Sequence, residues 1–189
     1  MSKIVGILLA AGSAKRFGAP KLLHPLSDGV TIGVAAANIL LQAAPESIAV
    51  VKTGDHDLID ALSTTGITVV ENSRADEGMG TSLATGVNAT ADADGWLITL
   101  ADMPWVQPET IIALADQLKQ GASIIVPIYQ GQRGHPVGFS ARWRGQLQEL
   151  SGDKGARDLI ANNSDELKLL TTEDSGVIKD IDHAQDLDK

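Results

Sequence analysis

Apolar and polar positions alternate along this chain in blocks. "KIVGILLA" (3–10) is continuously apolar after its lysine, as expected of a strand buried on both faces. "TIGVAAANILLQAA" (31–44) has helical spacing, and "SIAVVKTG" (47–54) predicts a second strand. "DHDLIDALSTTG" (55–66) predicts a short helix closed by Gly66, and "ITVVEN" (67–72) a third strand. A helix is expected from about Thr81 in "GTSLATGVNATA", followed by a fourth strand in "GWLITLAD" (95–102). "QPETIIALADQLKQG" (107–121) is framed as a helix by Pro108 near its start and Gly121 past its end. "ASIIVPIY" (122–129) predicts a fifth strand, followed by a turn and "HPVGFS". Two helices are expected near 142–150 and 155–162, and a final strand pair in "ELKLLTT" (166–172) and "GVIKDID" (176–182).

Strands alternating with helices predict an α/β fold of three layers, a mostly parallel Rossmann-like sheet with helices on both faces. Such sheets bind ligands outside the carboxyl ends of their strands, so the residues just after each strand carry the functional interest. The 189 residues suit one domain with a full core, taken as 1–189. No internal repeat, linker or low-complexity segment interrupts them.

Composition narrows the function. Net charge is −9, which argues against a general nucleic-acid binder, since that requires a basic face. The absence of cysteine excludes disulfides, thiolate zinc sites and a cysteine nucleophile, and suits the cytoplasm. No apolar run reaches membrane-spanning length. The opening "MSKIVGILLAAG" has some features of a signal peptide, but its apolar run is short and cations follow at once, so a buried strand is the better reading.

Against this acidic background, "LLAAGSAKRFGAPK" (8–21) collects Lys15, Arg16 and Lys21, and no acid appears before Asp28. It matches neither G-x-x-x-x-G-K-S/T nor G-x-G-x-x-G. Small residues after a strand still let backbone N–H groups approach an anion, and Arg16 and Lys21 add a planar fork and a mobile point charge. A triphosphate needs this chemistry; a solvated basic loop is the bland alternative. Asp102, ending the fourth strand, suits a hard cation such as Mg²⁺ or, alternatively, a helix cap. "ENSRADEGMGTS" (71–82) offers Asn72, Gly78 and Ser82, or merely a glycine-rich turn. "GQRGHPVGFS" and "LSGDKGARDLI" supply Arg133, His135, Lys154 and Arg157 as a second anion-binding group. The alternatives there are a cap by Asp153, ordinary surface charge and a structural histidine. Asp180 and Asp182, near the terminus, read most simply as solvated acids.

These motifs together resemble the nucleotidyltransferases of nucleotide-diphospho-sugar transferase fold, whose first loop reads L-A-A-G-x-S-x-R-x-G-x-x-K. Within that group the chain is most similar to the molybdenum cofactor cytidylyltransferases, and the likeness runs from Lys3 to Leu187 with the motifs in order. "LAAG" favours cytidine; related guanylyltransferases typically read "LAGG". The resemblance implies that Arg16 and Lys21 hold the triphosphate and that Ala10, Ala11 and Gly12 cradle the nucleotide. Asn72, Gly78 and Ser82 would contribute to the nucleotide pocket, and Asp102 would bind the catalytic Mg²⁺. Asp182 would complete the metal site, although His183 follows it where the family often has threonine. Arg133, His135, Lys154 and Arg157 would lie on the pterin phosphate side.

The implied reaction joins CMP from CTP to a molybdopterin-type cofactor and releases pyrophosphate, with Arg16, Lys21 and Asp102 as the catalytic set. A molybdoenzyme or chaperone is an expected transient partner; nucleic acid and membrane are not. The alternatives are a guanylyltransferase, a sugar- or polyol-phosphate nucleotidyltransferase, and a non-catalytic carrier of the pterin cofactor.

Overall fold

The computed structural model describes residues 2–12, 17 and 20–188. Arg16 and Lys15 lie outside the described residues.

Strands β1 (Ile4–Leu9), β2 (Ile48–Lys52), β3 (Thr68–Asn72) and β4 (Gly95–Leu100) form the parallel half of an eight-stranded sheet. The rest comprises β5 (Ile124–Tyr129), β6 (Gln132–Arg133), β7 (Val137–Ser140) and β8 (Leu167–Thr171). The strand order is β3-β2-β1-β4-β7-β5-β6, with β8 parallel to β5. Strand β7 runs antiparallel between β4 and β5, so the sheet is mixed.

The central strands are almost wholly apolar because helices cover both faces. In β1, Leu8 packs with Leu40 of α1 (Ile32–Ala43), Leu62 of α2 (His56–Ser63) and Leu114 of α4 (Pro108–Lys119). Its neighbours Ile7 and Leu9 point the other way, toward Leu83 and Val87 of α3 (Met79–Ala89) and Leu147 of α5 (Arg144–Gln148). This period-two alternation makes one strand serve two cores.

Several boundaries differ from the sequence expectation. Helix α3 begins at Met79 rather than near Thr81. The helix expected at 142–150 is a 3-10 turn, Ala141–Trp143, running into α5. The one expected from 155 is α6, Arg157–Asn162. The strand expected at 176–182 is replaced by a 3-10 turn, Ser175–Ile178. Its polar groups are engaged elsewhere: Asp174 accepts from the Gly176 amide, and the Val177 carbonyl accepts from the His135 amide. Among the described residues, no helix is long and apolar enough to cross a membrane.

Candidate active site

A cleft of about 660 Å³ opens at the carboxyl ends of β1 and β4. Its floor is the Ala10–Ala11–Gly12 turn, where the Ala10 amide donates to the Val50 carbonyl and so prolongs the ladder past β1. Lys21 enters from a short 3-10 turn, Lys21–Leu23, whose two leucines pack against the core. Its ammonium donates to Asp102 Oδ2 at 2.7 Å and stands 3.8 Å from Asp182 Oδ1. Asp102 lies two residues past the end of β4. Asp182 arrives from the end of the chain because the Ile181 amide donates to the Asp102 carbonyl at 3.0 Å.

The segment carrying Asp182 is held from behind. Buried Asp174 accepts from the Gln107 amide, the Thr110 hydroxyl and the Gly176 amide, each at 2.8 Å. These bonds tie 174–176 to the start of α4, while the His135 amide donates to the Val177 carbonyl at 2.8 Å.

Ser82 and Gly78 line the cleft wall. Asn72 stands behind it: its amide nitrogen donates to Thr81 and Ser82, and its oxygen accepts from the Arg74 amide. Asn72 therefore orients the first turn of α3 rather than facing the cleft. Gly78 adopts φ +111°, and the Gly80 amide donates to the Gly152 carbonyl at 2.8 Å, so residues 151–155 dock on that same turn.

The four residues of the second basic group attach to two different parts of the fold. Arg133 is on β6, beside Ile128 of β5. Lys154 is exposed and paired with Asp158, and Arg157 is exposed at the start of α6. No hydrogen bond or ion pair joins the two segments among the described residues. The 151–157 loop instead contributes Asp153 to the cleft. His135 is half-buried; burial pushes its pKa down from the ordinary 6.5, opposed by the Asp102 and Asp180 carboxylates and the Ile98 carbonyl.

Sequence reading missed Lys52, Asp55, Asp76 and Asp153 in the lining. Lys52 ends β2, so the rule about strand ends applied to it and was the available signal. It is bonded to both oxygens of Asp76, at 2.7 and 2.8 Å. The described lining thus carries five aspartates against two lysines.

No group of three or more His, Asp or Glu side chains able to hold a metal occurs among the described residues. Asp102 and Asp182 remain as a carboxylate pair with a cation already between them. Two hard oxygen donors fit an ion of the Mg²⁺ type, which keeps waters and takes phosphate oxygens as its other ligands.

Residues 6–167, which carry most of β1, all of β2 to β7 and Asp102, match a family model described as "MobA-like NTP transferase domain". The chain belongs to that family. As a MobA-like NTP transferase it is 29% identical to the purine catabolism protein PucB of Bacillus subtilis, over 98% of this chain and 94% of PucB. It is 26% identical to the nicotine blue oxidoreductase of Paenarthrobacter nicotinovorans, over 97% and 94% of the two chains. A "Probable molybdenum cofactor guanylyltransferase" of Bacillus mycoides is 28% identical, over 70% of this chain and 66% of that protein. Among solved structures, Rv0371c from Mycobacterium tuberculosis superposes with TM-score 0.86 at 30% identity, covering 98% and 95% of the two chains. The complex of that protein with manganese superposes with TM-score 0.82 at 29% identity, covering 98% and 96%.

Proposed function

We propose that this MobA-like NTP transferase transfers CMP from CTP to a molybdopterin-type cofactor, giving the cytosine dinucleotide cofactor and pyrophosphate. The observation that carries the reading is the meeting of Lys21, Asp102 and Asp182 beside the Ala10–Gly12 turn, a cation and a carboxylate pair lining a nucleotide-sized cleft. The likeness of "LAAG", "RGHPVGF" and "SGDKGAR" to the cytidylyltransferase motifs supports the choice of base and acceptor. The manganese complex of the mycobacterial relative supports the use of a divalent ion, here taken as Mg²⁺.

In the reaction, a phosphate oxygen of the acceptor attacks the α-phosphorus of the nucleotide. A new P–O–P bridge forms, the α–β bridge breaks, and pyrophosphate leaves. The attacking phosphate is ionised near neutral pH, so no general base is required. Catalysis then rests on positioning and charge neutralisation. The Ala10–Gly12 backbone and the Gly78–Ser82 turn would hold the nucleotide. Lys21, together with Arg16, would neutralise the β and γ phosphates. Asp102 and Asp182 would hold Mg²⁺, which supplies charge stabilisation at the phosphoryl oxygens. Arg133, His135, Lys154 and Arg157 are the proposed acceptor-side groups. The setting is cytoplasmic, with transient delivery to a molybdoenzyme or its chaperone.

The test is pyrophosphate release from CTP, GTP, ATP and UTP with Mg²⁺, with and without molybdenum cofactor. Cofactor-dependent release from CTP alone is expected. Release from GTP alone would move the protein to the guanylyl branch, the reading that the Bacillus mycoides relative favours. Silence with all four would overturn transfer to this acceptor and leave sugar phosphates or a carrier role.

A further inference from the structure

Lys21 stands where the reaction's metal would be expected. Its ammonium lies 2.7 Å from Asp102 and 3.8 Å from Asp182, with the lysine side chain only 13% exposed. Such a partly desolvated bridge is stronger and less screened than a surface ion pair. The backbone bonds that place the two aspartates do not involve the lysine side chain: the Ile181 amide holds the Asp102 carbonyl, and the Asp182 amide donates to Asp186. The carboxylates therefore meet through the fold, and Lys21 fills the gap between them. An ammonium on a four-carbon stem is a mobile point charge, unlike a fixed guanidinium fork.

We infer that Lys21 is a resident counter-cation that keeps the carboxylate pair closed to free divalent ions and leaves it only when a nucleoside triphosphate arrives. The triphosphate gives the ammonium a new anionic partner, and the vacated carboxylates accept the divalent ion that accompanies it. Metal and nucleotide then load as one unit, and the form of substrate that the cleft selects is the metal–nucleotide complex. By linkage, whatever factor the nucleotide contributes to metal affinity, the metal returns to nucleotide affinity. The inference rests on the reading of the cleft as a triphosphate site, but not on which base it takes.

The experiment titrates the protein with Mn²⁺ in the absence of nucleotide and follows free ion by electron paramagnetic resonance. Lys21→Met is expected to bind Mn²⁺ roughly tenfold more tightly than the wild-type chain, because a competing cation has been removed. Lys21→Arg, which keeps a cation, should bind as weakly as wild type. Adding Asp182→Asn to Lys21→Met should abolish the gain. Circular dichroism checks that each variant is folded. Equal Mn²⁺ affinity in wild type and folded Lys21→Met would overturn the inference. Should Lys21→Met not fold, the wild-type titration decides: micromolar Mn²⁺ binding without nucleotide overturns the guard, and binding too weak to saturate at millimolar ion supports it. A tenfold gain alongside silence in the pyrophosphate assay would keep the guard and overturn the transfer reading, so the two failures are distinguishable.

Discussion

A Cβ atom on Gly78 would lie 2.3 Å from the carbonyl carbon of Gly152. The first turn of α3 and the 151–155 loop approach backbone to backbone, and Gly78 makes the approach at φ +111°, a region that side chains disfavour. Gly78→Ala should therefore destabilise the fold by about 1–3 kcal/mol from backbone strain, with the collision adding to it. Urea unfolding measures the loss, and nucleotide affinity should fall with it because Ser82 and Asp153 line the cleft from these two segments. An unaltered unfolding midpoint would mean that the loop can move away at no cost.

Asp174 is buried and accepts three hydrogen bonds, two of them from backbone amides. Asp174→Ala strands these donors at about 1–3 kcal/mol for each one left unsatisfied. The variant should unfold at distinctly lower denaturant and, with nucleotide present, bind the divalent ion less well, since the segment leading to Asp182 loses its anchor. Asp174→Asn retains an acceptor oxygen and should lie between the two. Equal stability of all three chains would show that this anchor is dispensable.

His135 gives the chain a pH dependence of a defined sign. Its Nδ1 is buried with no hydrogen-bond partner, and burial holds its pKa below the ordinary 6.5. The folded state thus binds fewer protons than the unfolded state as pH falls. The contribution of His135 is complete above pH 6.5 and is lost as the pH drops through that value toward and below the folded pKa. Unfolding free energy should decline between neutrality and mild acid, and His135→Asn should flatten the decline. Identical slopes in the two proteins would assign the dependence to other groups.

Asp102→Asn preserves the shape of the side chain and removes its charge. Turnover dependent on a divalent cation should drop roughly 10²–10³-fold or more, the scale on which a single electrostatic contributor to a transition state acts. Unfolding free energy should fall modestly, because the half-buried Lys21 ammonium loses its charged partner while the Asp102 carbonyl that accepts from Ile181 is still present. Undiminished turnover would remove Asp102 from the metal site.

Much of the architecture was legible along the chain. Apolar runs such as 4–9, 48–52 and 95–100 are strands because a segment covered by helices on both faces has no polar side to show. That Ala10–Gly12, Lys21 and Asp102 would share one cleft was legible for a related reason, since ligand clefts form where parallel strands end. Asn72 also follows that rule, at the end of β3, yet three hydrogen bonds direct its side chain into the wall, which no local pattern announces. Beside Lys154 and Arg157, which the sequence singles out, only the folded loop shows Asp153 among the cleft lining, where the Gly152 carbonyl accepts from Gly80.

Local hydrophobic periodicity and the placement of small residues determined most of the strands and helices, and pointed to the strand ends that line the cleft. These depend on a residue's near neighbours, and the chain displays them directly. Folding in three dimensions settled the reversal of β7, the replacement of the last expected strand by a turn, and the seating of Lys21 between Asp102 and Asp182. Those contacts join segments as far apart as residues 21 and 182, and they are chosen by packing and by the pairing of buried polar groups that only the assembled sheet brings together.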